Sequence, residues 1–587
     1  MKVLLAAINA KYIHSNLAVY SLKAYADKKL AKQAEIVIRE YTINQEKEKI
    51  LADIYRQSPD LLAFSCYIWN ITYVRELVFQ LRTLLPETEI WLGGPEVSYD
   101  PRSLLAELPV KGIMLGEGEE IFTKLLLAYL NGENLLTIRG IACREFMTDP
   151  GEPPAMDELP FVYADFSEEQ FENRIPYYET SRGCPFRCSY CLSSIEKRVR
   201  YRSLTLVKQE LQFFLDKRVP QVKLVDRTFN CDPARAVEIW SYLKENDNGI
   251  TNFHFEIAAD IMTEEEIILI NTLRKGLIRL EIGVQTTNME TIQRICRQMD
   301  FNRVSAAVRQ LQAGKNVKLH LDLIAGLPKE DFQSFQNSFN EVYALHPDEL
   351  QLGFLKVLKG TPIAKEVEKG SIRCWTTPPY EVLSTSWLSF EELLILKGVE
   401  EMVEIYYNSG QFSNTVSYLE GYFQTPFTLY EALAEYYGQK GYGTVQPSRV
   451  RRYEILLEFA EGLYGMRTRT CREYLTLDLY LREKIKKRPD FSLPQELYRE
   501  QVQEFYKEEE KNRKYLPEYA EFDFKQLMRL THIEVFDAIG ERRQALLFNY
   551  RAENGLTADA KLIAVTKEME RIEEHEKTDK RDTGHSR

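Results

Sequence analysis

The sequence predicts a mixed α/β protein with a mainly α-helical C-terminal third. Over the first 145 residues, short apolar runs alternate with amphipathic stretches, which is typical of a doubly wound parallel sheet. Six further strand–helix repeats follow between residues 175 and 375, and from about Thr376 the pattern becomes helical and aromatic-rich. Repetition of this kind fits either a parallel barrel or an open sheet.

Composition narrows the class of protein. The 587 residues are 44% hydrophobic and 28% charged, and no apolar run reaches the roughly 18 residues of a membrane span. Nine cysteines, three of them in one loop, indicate a reducing cytoplasm and a metal site, not a disulfide framework. The net charge of −12 disfavours non-specific nucleic-acid binding. We therefore expect a cytoplasmic protein without membrane or nucleic-acid partners.

The first 145 residues contain five predicted strands, Lys2–Ile8, Glu35–Tyr41, Leu61–Ile68, Glu89–Gly93 and Gly112–Leu115. Ligands of such sheets bind beyond the carboxyl ends of the strands. Glycines there permit close approach of a flat ligand or of a phosphate-bearing tail. The candidate binding residues at these ends are Asn9, His14, Ser65, Tyr67, Gly93, Gly94, Pro95, Gly116, Glu117, Gly118 and Glu119.

One loop carries three cysteines within eight residues, Cys184, Cys188 and Cys191, spaced C-x3-C-x2-C. Thiolates suit iron–sulfur clusters and zinc. A closed zinc site needs four protein ligands, and no fourth Cys or His lies nearby in the sequence. A 4Fe-4S cluster held by three thiolates leaves one iron open to a ligand. The alternatives are three ordinary buried thiols, or a structural metal with a distant fourth ligand.

With Tyr190 before its third cysteine, this loop resembles the signature of the radical S-adenosylmethionine (SAM) superfamily. The resemblance implies that the open iron binds SAM, and that an electron from a reducing partner such as flavodoxin or ferredoxin yields a 5′-deoxyadenosyl radical. The family places the loop after the first strand of a partial (β/α)6 barrel, and the strand Ile175–Glu179 leads into it. Arg182 and Arg187 flank the cysteines, either positioning SAM's carboxylate or forming ordinary salt bridges.

The resemblance also implies SAM contacts near the ends of the barrel strands. Asp226 and Phe229 match contacts to SAM's amino group, and Glu256 could reach the same region. The segment Glu281–Gln285 is similar to the family's ribose segment, and Asp322–Asp331 to the fifth-strand motif that supports adenine. The SAM candidates are Tyr190, Asp226, Phe229, Glu256, Glu281, Gly283, Gln285, Asp322 and Gly326. Each carboxylate taken alone also fits a strand-end or helix-capping role.

The Gly93-Gly94-Pro95 and Gly116-Glu117-Gly118-Glu119 turns resemble those of the Rossmann-like cobalamin-binding domain fused to many radical SAM enzymes. The Asp-x-His-x-x-Gly motif of many cobalamin proteins is absent, because Tyr12 stands two residues before His14 where the motif has Asp. The resemblance implies either cobalamin without that histidine ligand or a domain that has lost the cofactor. In both cases His14 is expected to pack or to cap.

We expect a cobalamin-binding-like domain at 1–145, a surface linker at 146–174, the partial barrel at 175–375, a mainly helical domain at 376–565 and a disordered charged tail at 566–587. The helical domain resembles an uncharacterised extension of one cobalamin-type branch of the family. Within it, a strand pair is expected over Ile533–Asp537 and Ala545–Tyr550.

The hypothesis is a radical SAM enzyme that uses a 4Fe-4S cluster, SAM and cobalamin to methylate or otherwise modify an unactivated carbon of an unidentified substrate. The alternative is a cobalamin-independent radical SAM enzyme that modifies RNA or protein. Methylthiotransferases of that kind carry extra cluster cysteines, whereas Cys66 stands alone in the N-terminal region here. A non-catalytic sensor that binds a cluster or a corrinoid is the third hypothesis.

Overall fold

Two six-stranded sheets dominate the first of the two units into which the chain divides. The computed structural model describes residues 1–195, 198–443, 446–551 and 559–582. The units are Met1–Leu393 and Leu394–Arg587. Both predicted α/β domains lie in the first unit, and the division falls beyond the predicted boundary at residue 375.

The N-terminal sheet has the strand order β2-β1-β3-β4-β5-β6, with β1 to β5 parallel and β6 antiparallel. Its strands are β1 Lys2–Asn9, β2 Glu35–Thr42, β3 Leu61–Ser65, β4 Glu89–Gly93, β5 Gly112–Met114 and β6 Ile141–Cys143. The helices are α1 Leu17–Lys29, α2 Lys47–Gln57, α3 Ile71–Leu84, α4 Pro95–Ser98, α5 Pro101–Glu107 and α6 Gly118–Asn131. This confirms the predicted doubly wound sheet. Helices α2, α4 and α5 and strand β6 were not predicted from the sequence.

Alternate residues of β1 enter two different cores, one on each face of the sheet. Leu4, Ala6 and Ile8 pack with residues of α2 and α3, whereas Val3, Leu5 and Ala7 pack with residues of α1 and α6. A strand covered on both faces reads as a continuous apolar run. The strand order places the topological switch between β1 and β3, and ligands of such sheets bind there.

The segment 146–174 packs more deeply than the surface linker that was expected. Tyr163 is buried, and its hydroxyl donates to the Tyr177 carbonyl at 2.8 Å. Phe161, Tyr163, Phe166 and Phe171 form edge contacts with one another and with Phe213 and Phe214 of the following helix. The prolines of this segment suggested a loop, but its aromatic side chains supply enough apolar area to form a core of their own.

The second sheet is entirely parallel, in the order β14-β13-β12-β11-β10-β7. Its strands are β7 Tyr177–Tyr178, β10 Gln221–Leu224, β11 Asn252–Ile257, β12 Ile278–Gln285, β13 Lys318–Ala325 and β14 Glu349–Phe354. A short antiparallel pair, β8 Ser181–Arg182 and β9 Arg200–Tyr201, lies between β7 and the first helix. The first and last strands stand at opposite ends of the order, which agrees with the predicted partial barrel of six β/α units.

Helices follow the strands of this sheet, as the prediction requires. They are α7 Leu204–Asp216, α8 Pro233–Glu245, α9 Glu264–Asn271, α10 Met289–Arg294, α11 Phe301–Ala313 and α12 Phe332–Tyr343. A short helix, α13 Ala364–Glu368, and an antiparallel pair, β15 Ile372–Cys374 and β16 Val382–Thr385, complete the region before α14 Phe390–Val403.

The second unit is mainly helical, as predicted. After α14 a π-helix covers Glu404–Asn408. The further helices are α15 Ser413–Glu420, α16 Pro426–Lys440, α17 Arg449–Glu461, α18 Thr468–Arg482, α19 Arg499–Asn512, α20 Phe524–Leu530 and α21 Thr566–Asp582. Tyr406, Tyr430 and Tyr437 are buried, so these aromatic residues belong to the core. No helix within the described ranges combines the length and apolar character that a membrane span needs.

The expected strand pair is present and has a third member. Strands β17 Thr531–Phe536, β18 Gln544–Asn549 and β19 Lys561–Ala564 form an antiparallel sheet. Helix α21 covers Thr566–Asp582, where a disordered tail was expected, and residues 583–587 lie outside the described residues. The correction has a physical cause, because Val565, Met569 and Ile572 are spaced to bury one helix face in the core.

Candidate functional site

The cysteine loop is held on three sides by the backbone of the barrel. Gly183 has φ +96°, and a Cβ there would lie 2.3 Å from the Arg198 carbonyl oxygen, so this position needs glycine. The Ser189 amide donates to the Ile295 carbonyl at 2.8 Å, and the Ile363 amide donates to the Ser189 carbonyl at 3.0 Å. The loop therefore has a fixed place between β8 and β9 and the loops that follow later strands.

All three cysteines of the loop are free thiols. Cys184 and Cys188 are buried and Cys191 is half-buried. Across the described residues, no group of three or more Cys, His, Asp or Glu side chains is placed around a single metal ion. In a 4Fe-4S cluster each thiolate binds a different iron, so the sulfur atoms stand farther apart than ligands of one ion. The donor set, three thiols in one anchored loop, fits such a cluster.

Asp226 is placed to hold the cysteine loop. Its buried carboxylate accepts hydrogen bonds from the Thr180 amide at 3.0 Å, the Thr180 hydroxyl at 2.7 Å and the Ser181 hydroxyl at 2.5 Å. Burial raises the pKa of Asp226, and these hydrogen bonds oppose the rise. Phe229 is also buried, 4.4 Å from the Phe255 ring, and packs against Trp240. Asp226 and Phe229 were both predicted to contact SAM. In the structure, Asp226 hydrogen-bonds to the residues that precede the cysteine loop, and Phe229 packs against aromatic side chains.

The other predicted carboxylates face one another across neighbouring strands of the barrel. Glu256 and Glu281 are register partners on β11 and β12, and Gly283 is the register partner of Asp322 on β13. The Lys223 ammonium lies 3.0 Å from Glu281 and 3.9 Å from Glu256. Sequence reasoning identified the three acids, but not Lys223, the cation between them.

These acids have very different pKa values. Burial and the neighbouring Glu281 raise the pKa of Glu256 to about 7. Burial also acts on Glu281, but contact with His254 at 2.9 Å and with Lys223 outweighs it and lowers the pKa of Glu281 to about 2. Burial raises the pKa of Asp322, which lies 2.9 Å from His320 Nε2. At neutral pH the site therefore contains one ionised acid paired with Lys223 and one acid close to half-protonated.

Some buried polar atoms around these acids have no hydrogen-bond partner within the described part of the chain. They are the Gln285 Oε1 and the His320 Nδ1, whereas His320 Nε2 lies 2.9 Å from Asp322 Oδ1. Buried polar groups normally find a partner in the protein, in water or in a ligand. Gly326 lies against Val382 of β16, and Gly283 makes room for the Gln285 side chain. The lumen between β11 and β13 is thus lined with groups that can still accept or donate hydrogen bonds to a polar ligand.

Arg297 is a site residue that sequence reasoning missed. Its guanidinium donates to Cys188 Sγ at 3.7 Å, to Tyr190 Oη at 3.4 Å and to the Gly283 carbonyl. It therefore joins the cysteine loop to the segment predicted beside the SAM ribose. Arg297 follows α10 in a loop without a recognised motif, so only its position after the Glu281–Gln285 segment could have pointed to it.

In the first domain, three of the predicted residues are engaged by protein groups. Asn9 donates to Glu40 at 3.0 Å and to the His14 carbonyl at 3.1 Å, and Asn16 lies 3.5 Å from the Ser65 hydroxyl. The His14 ring stacks on Tyr177 and its Nδ1 lies 2.7 Å from the Tyr177 hydroxyl. The structure thus gives His14 the packing role expected of it.

The acids of the Gly116–Glu119 turn, Glu117 and Glu119, contact the start of the cysteine loop through Arg182. Arg182 lies 2.7 Å from both Glu117 and Glu119, and 2.9 Å from Glu179. Arg200 also contacts Glu117. Arg182 is thus salt-bridged, which was one of the two roles left open for it. The glycine turn of the first sheet and the cysteine loop of the second therefore meet directly.

Of the predicted glycines at the carboxyl ends of the first sheet, Gly116 faces open space, and the others pack against neighbouring residues. Gly94 has φ +111°, and a Cβ there would lie 2.5 Å from the Cys66 carbonyl oxygen, so the turn before Pro95 needs glycine. A Cβ on Gly116 would meet nothing within 4 Å, whereas Gly118 packs on Leu22. Tyr67 stacks on the exposed Trp69 with ring centroids 4.3 Å apart. Open glycine turns beside aromatic rings fit a large flat ligand.

Three family models match consecutive parts of the chain. The model described as "B12 binding domain" matches residues 3–126, and the model described as "Radical SAM superfamily" matches residues 178–342. A third, described as "Protein of unknown function (DUF4080)", matches residues 369–548. The first two models cover the open glycine turns and the cysteine loop, respectively.

Characterised proteins are similar over part of their length. The chain is 24% identical over 422 residues to the 2-(S-pantetheinyl)-carbapenam-3-carboxylate methyltransferase of Streptantibioticus cattleyicolor. The aligned region covers 65% of this chain and 62% of that protein. It is 23% identical over 344 residues to the cobalamin-dependent radical SAM methyltransferase TokK of Streptomyces tokunonensis, covering 54% and 50%. The chain therefore spans only half to three-fifths of these relatives.

Solved structures share the fold. The methyltransferase TsrM from Kitasatospora setae, determined with cobalamin and a [4Fe-4S] cluster, aligns with a TM-score of 0.55 at 17% identity over 65% of this chain and 78% of that chain. The cobalamin-dependent radical enzyme OxsB, determined with aqua-cobalamin and SAM, aligns with a TM-score of 0.58 at 16% identity over 81% and 78%. These likenesses show the fold, and the family models show a B12-binding region and a radical SAM superfamily region in this chain, followed by a region that matches a family of unknown function.

Proposed function

We propose that this protein is a cobalamin-using radical SAM enzyme that methylates, or otherwise modifies, an unactivated carbon of its substrate. The observation that carries the proposal is the direct contact between Arg182 of the cysteine loop and Glu117 and Glu119 of the glycine turn. This contact brings the cluster site and the cobalamin site to the same opening. A carbon bound there would face both cofactors.

Cys184, Cys188 and Cys191 would hold the cluster, whose chemistry when bound is the one-electron cleavage of SAM. Asp226 anchors the start of the loop through Thr180 and Ser181, and so fixes the first thiol relative to the barrel. Thr228 Oγ1 lies 3.6 Å from Cys184 Sγ, close enough for a weak hydrogen bond to sulfur. These residues place and shield the cluster and take no part in bond-making.

SAM would lie over the strand ends between the cysteine loop and β13. Arg297 is placed for an anionic carboxylate, because its buried guanidinium is beside Cys188 and its Nε has no hydrogen-bond partner among the described residues. Gln285 presents a buried Oε1, without a partner among the described residues, that can accept a hydrogen bond from a ribose hydroxyl. Glu256, with its raised pKa, can hold a proton near neutral pH beside an ammonium or hydroxyl of the ligand.

Cobalamin would lie on the open turns of the first domain and would carry the methyl group. The corrin would lie beside Tyr67, Gly93, Gly94 and Pro95 and over Gly116, which faces open space, while Gly118 packs on Leu22 and Glu117 and Glu119 hold the turn through Arg182. No residue of this turn set supplies a histidine to cobalt, because His14 is held against Tyr177. We propose that cobalt receives no ligand from His14.

The domain roles follow from this placement. We propose that 1–145 binds cobalamin, that 175–375 binds the cluster and SAM, and that 376–565 selects the substrate. The free thiols support a reducing, cytoplasmic setting. An external one-electron donor of the flavodoxin or ferredoxin type would reduce the cluster.

The test is anaerobic turnover of SAM by the reconstituted full-length chain with a chemical reductant. We expect 5′-deoxyadenosine from the wild-type protein and none from the Cys188→Ala variant, while Cys374→Ala, which lies outside the loop, keeps the activity. Absence of SAM cleavage by protein with a full iron–sulfur content would contradict the proposed function.

A further inference from the structure

Arg182 lies at the centre of a buried charge network that the proposed chemistry does not use. Its guanidinium contacts Glu117 and Glu119 at 2.7 Å and Glu179 at 2.9 Å, and its side chain is 15% exposed. Arg200, the register partner of Arg182 on β9, contacts Glu117 as well. The Ser21 hydroxyl donates to Glu119 at 2.8 Å. Two arginines of the barrel thus hold two glutamates of the first domain.

Each end of this network is rigidly attached to a cofactor site. Arg182 lies two residues before Cys184, and Asp226 fixes Thr180 and Ser181 on its other side. Glu117 and Glu119 lie beside Gly116, the turn residue that faces open space. Any shift of the cysteine loop would therefore move the glycine turn, or would break ion pairs in a water-poor environment, where an unpaired charge is costly.

We infer that Arg182 is a positioning residue that couples the two cofactor sites, so that loading the cluster raises the affinity of the first domain for a corrinoid. The cluster fixes Cys184 and hence Arg182, and Arg182 then holds the turn in its binding conformation before the corrinoid arrives. A turn already ordered costs less conformational entropy to bind. By thermodynamic linkage, the corrinoid favours the loaded cysteine loop by the same factor.

The inference rests on the proposed function, because it assumes that a corrinoid binds at the first domain. The experiment measures the dissociation constant of hydroxocobalamin by absorbance titration, once on the cluster-free full-length chain and once on the cluster-reconstituted chain. We expect wild-type protein to bind about tenfold more tightly with the cluster, within the range usual for coupled sites. We expect Arg182→Gln to reduce this ratio to about one.

Two further variants separate positioning from loss of charge. Arg187→Gln removes an exposed charge from the same loop and is expected to keep the full ratio. Arg182→Lys is expected to give an intermediate ratio, since an ammonium keeps the charge but cannot serve three carboxylates with the fixed fork of a guanidinium. A wild-type ratio of one, or an equal loss of coupling in Arg187→Gln, would contradict the inference while corrinoid binding itself still supports the function.

If Arg182→Gln folds poorly, a measurement on the wild-type protein still tests the inference. Hydrogen–deuterium exchange of the cluster-free chain is compared with and without hydroxocobalamin. We expect slower exchange in peptides covering 180–190, which form β8 and the cysteine loop, outside the first domain. Slower exchange confined to the first domain would overturn the coupling, and absence of any hydroxocobalamin binding would overturn the proposed function together with it.

Discussion

At the scale of single residues, the barrel gives the neighbouring acids Glu256 and Glu281 very different pKa values. Glu256 and Glu281 are neighbours on β11 and β12, yet one pKa is raised to about 7 and the other lowered to about 2, because Lys223 and His254 favour Glu281. When the pKa values of two neighbouring acids differ this much, one acid can carry a proton while the other carries a negative charge.

This separation predicts a pH-dependent stability. Between pH 4.5 and 7 the folded protein keeps a proton on Glu256 that the unfolded chain releases, so the free energy of unfolding falls as pH rises through this window. The loss amounts to about 3 kcal/mol for a side chain that is mostly buried. We expect Glu256→Gln to remove this loss, which denaturant titrations of the cluster-free chain at pH 5 and pH 8 would measure.

The control for this prediction is Glu265→Gln, an exposed residue on α9 of the same unit. Its unfolding free energy should follow that of the wild type at both pH values. Equal pH dependence in Glu256→Gln and wild-type protein would show that Glu256 ionises normally.

Arg297 supports a second residue-scale prediction. If its guanidinium binds the SAM carboxylate, Arg297→Met should weaken SAM binding by roughly 10- to 100-fold, the usual value of a charge-assisted hydrogen bond. Equilibrium dialysis with SAM on the reconstituted chain measures this. Arg303→Met, an exposed arginine on α11, is the control and should leave SAM affinity unchanged. Unaltered SAM binding in Arg297→Met would remove the assigned role.

Residue-scale prediction from the sequence rests on local spacing and does not reach partners that the fold brings from a distance. The cysteine spacing alone indicated Cys184, Cys188 and Cys191, which stay the predicted cluster ligands. Asp226 stays a predicted SAM contact, but its hydrogen bond with Thr180 and the position of Lys223 beside Glu281 were not identified. A carboxylate at a strand end has the same sequence pattern in either role, because its partner is set by tertiary contacts.

At the scale of elements, the segment 146–174 contacts one member of a buried ion pair of the barrel. Arg202 donates to Glu210 of α7 at 2.8 Å and to the Leu159 carbonyl at 2.9 Å, and the Tyr178 hydroxyl donates to Glu210 at 2.6 Å. Both charged side chains are 7% exposed. The salt bridge therefore joins Arg202 to α7, and the Arg202 guanidinium links it to the segment through the Leu159 carbonyl.

Removing one member of the pair is expected to leave an uncompensated buried charge. Glu210→Ala should lower the free energy of unfolding by about 3–5 kcal/mol. Glu238→Ala removes the acid of a more exposed pair with Lys208 on neighbouring helices and should change it by less than about 1 kcal/mol. Chemical denaturation of the two variants compares them, and equal effects would refute the structural role given to Glu210.

Element prediction followed the periodicity of apolar residues. Most strands of the two large sheets were predicted because they read as apolar runs, whereas β6 of the first sheet and β19 of the C-terminal sheet, three and four residues long, were not. Helix α21 was missed because its charged residues suggested disorder, while Val565, Met569 and Ile572 bury apolar side chains in the neighbouring core. Short elements and sparsely apolar helices form only with the support of neighbouring elements, which a local pattern does not contain.

At the scale of the whole molecule, the first unit joins a doubly wound sheet and a partial barrel through the contact of Arg182 with Glu117 and Glu119. The order of these domains and their fold were predictable, because strand–helix alternation and the cysteine loop are sequence features. The contact between Arg182 and the Glu117 turn was not, since each residue had been assigned separately to a different cofactor. The second unit has a helical fold and a three-stranded sheet. We propose that it selects the substrate.

The central claim is that one chain carries both a cluster and cobalamin. The most direct measurement is the corrinoid and iron content of full-length protein purified anaerobically from cobalamin-fed cells, by extraction and mass spectrometry with a parallel iron assay. We predict close to one corrinoid per chain together with a filled cluster. A filled cluster without corrinoid would contradict the claim, reducing the first domain to a scaffold and leaving a radical SAM enzyme that works by hydrogen abstraction alone.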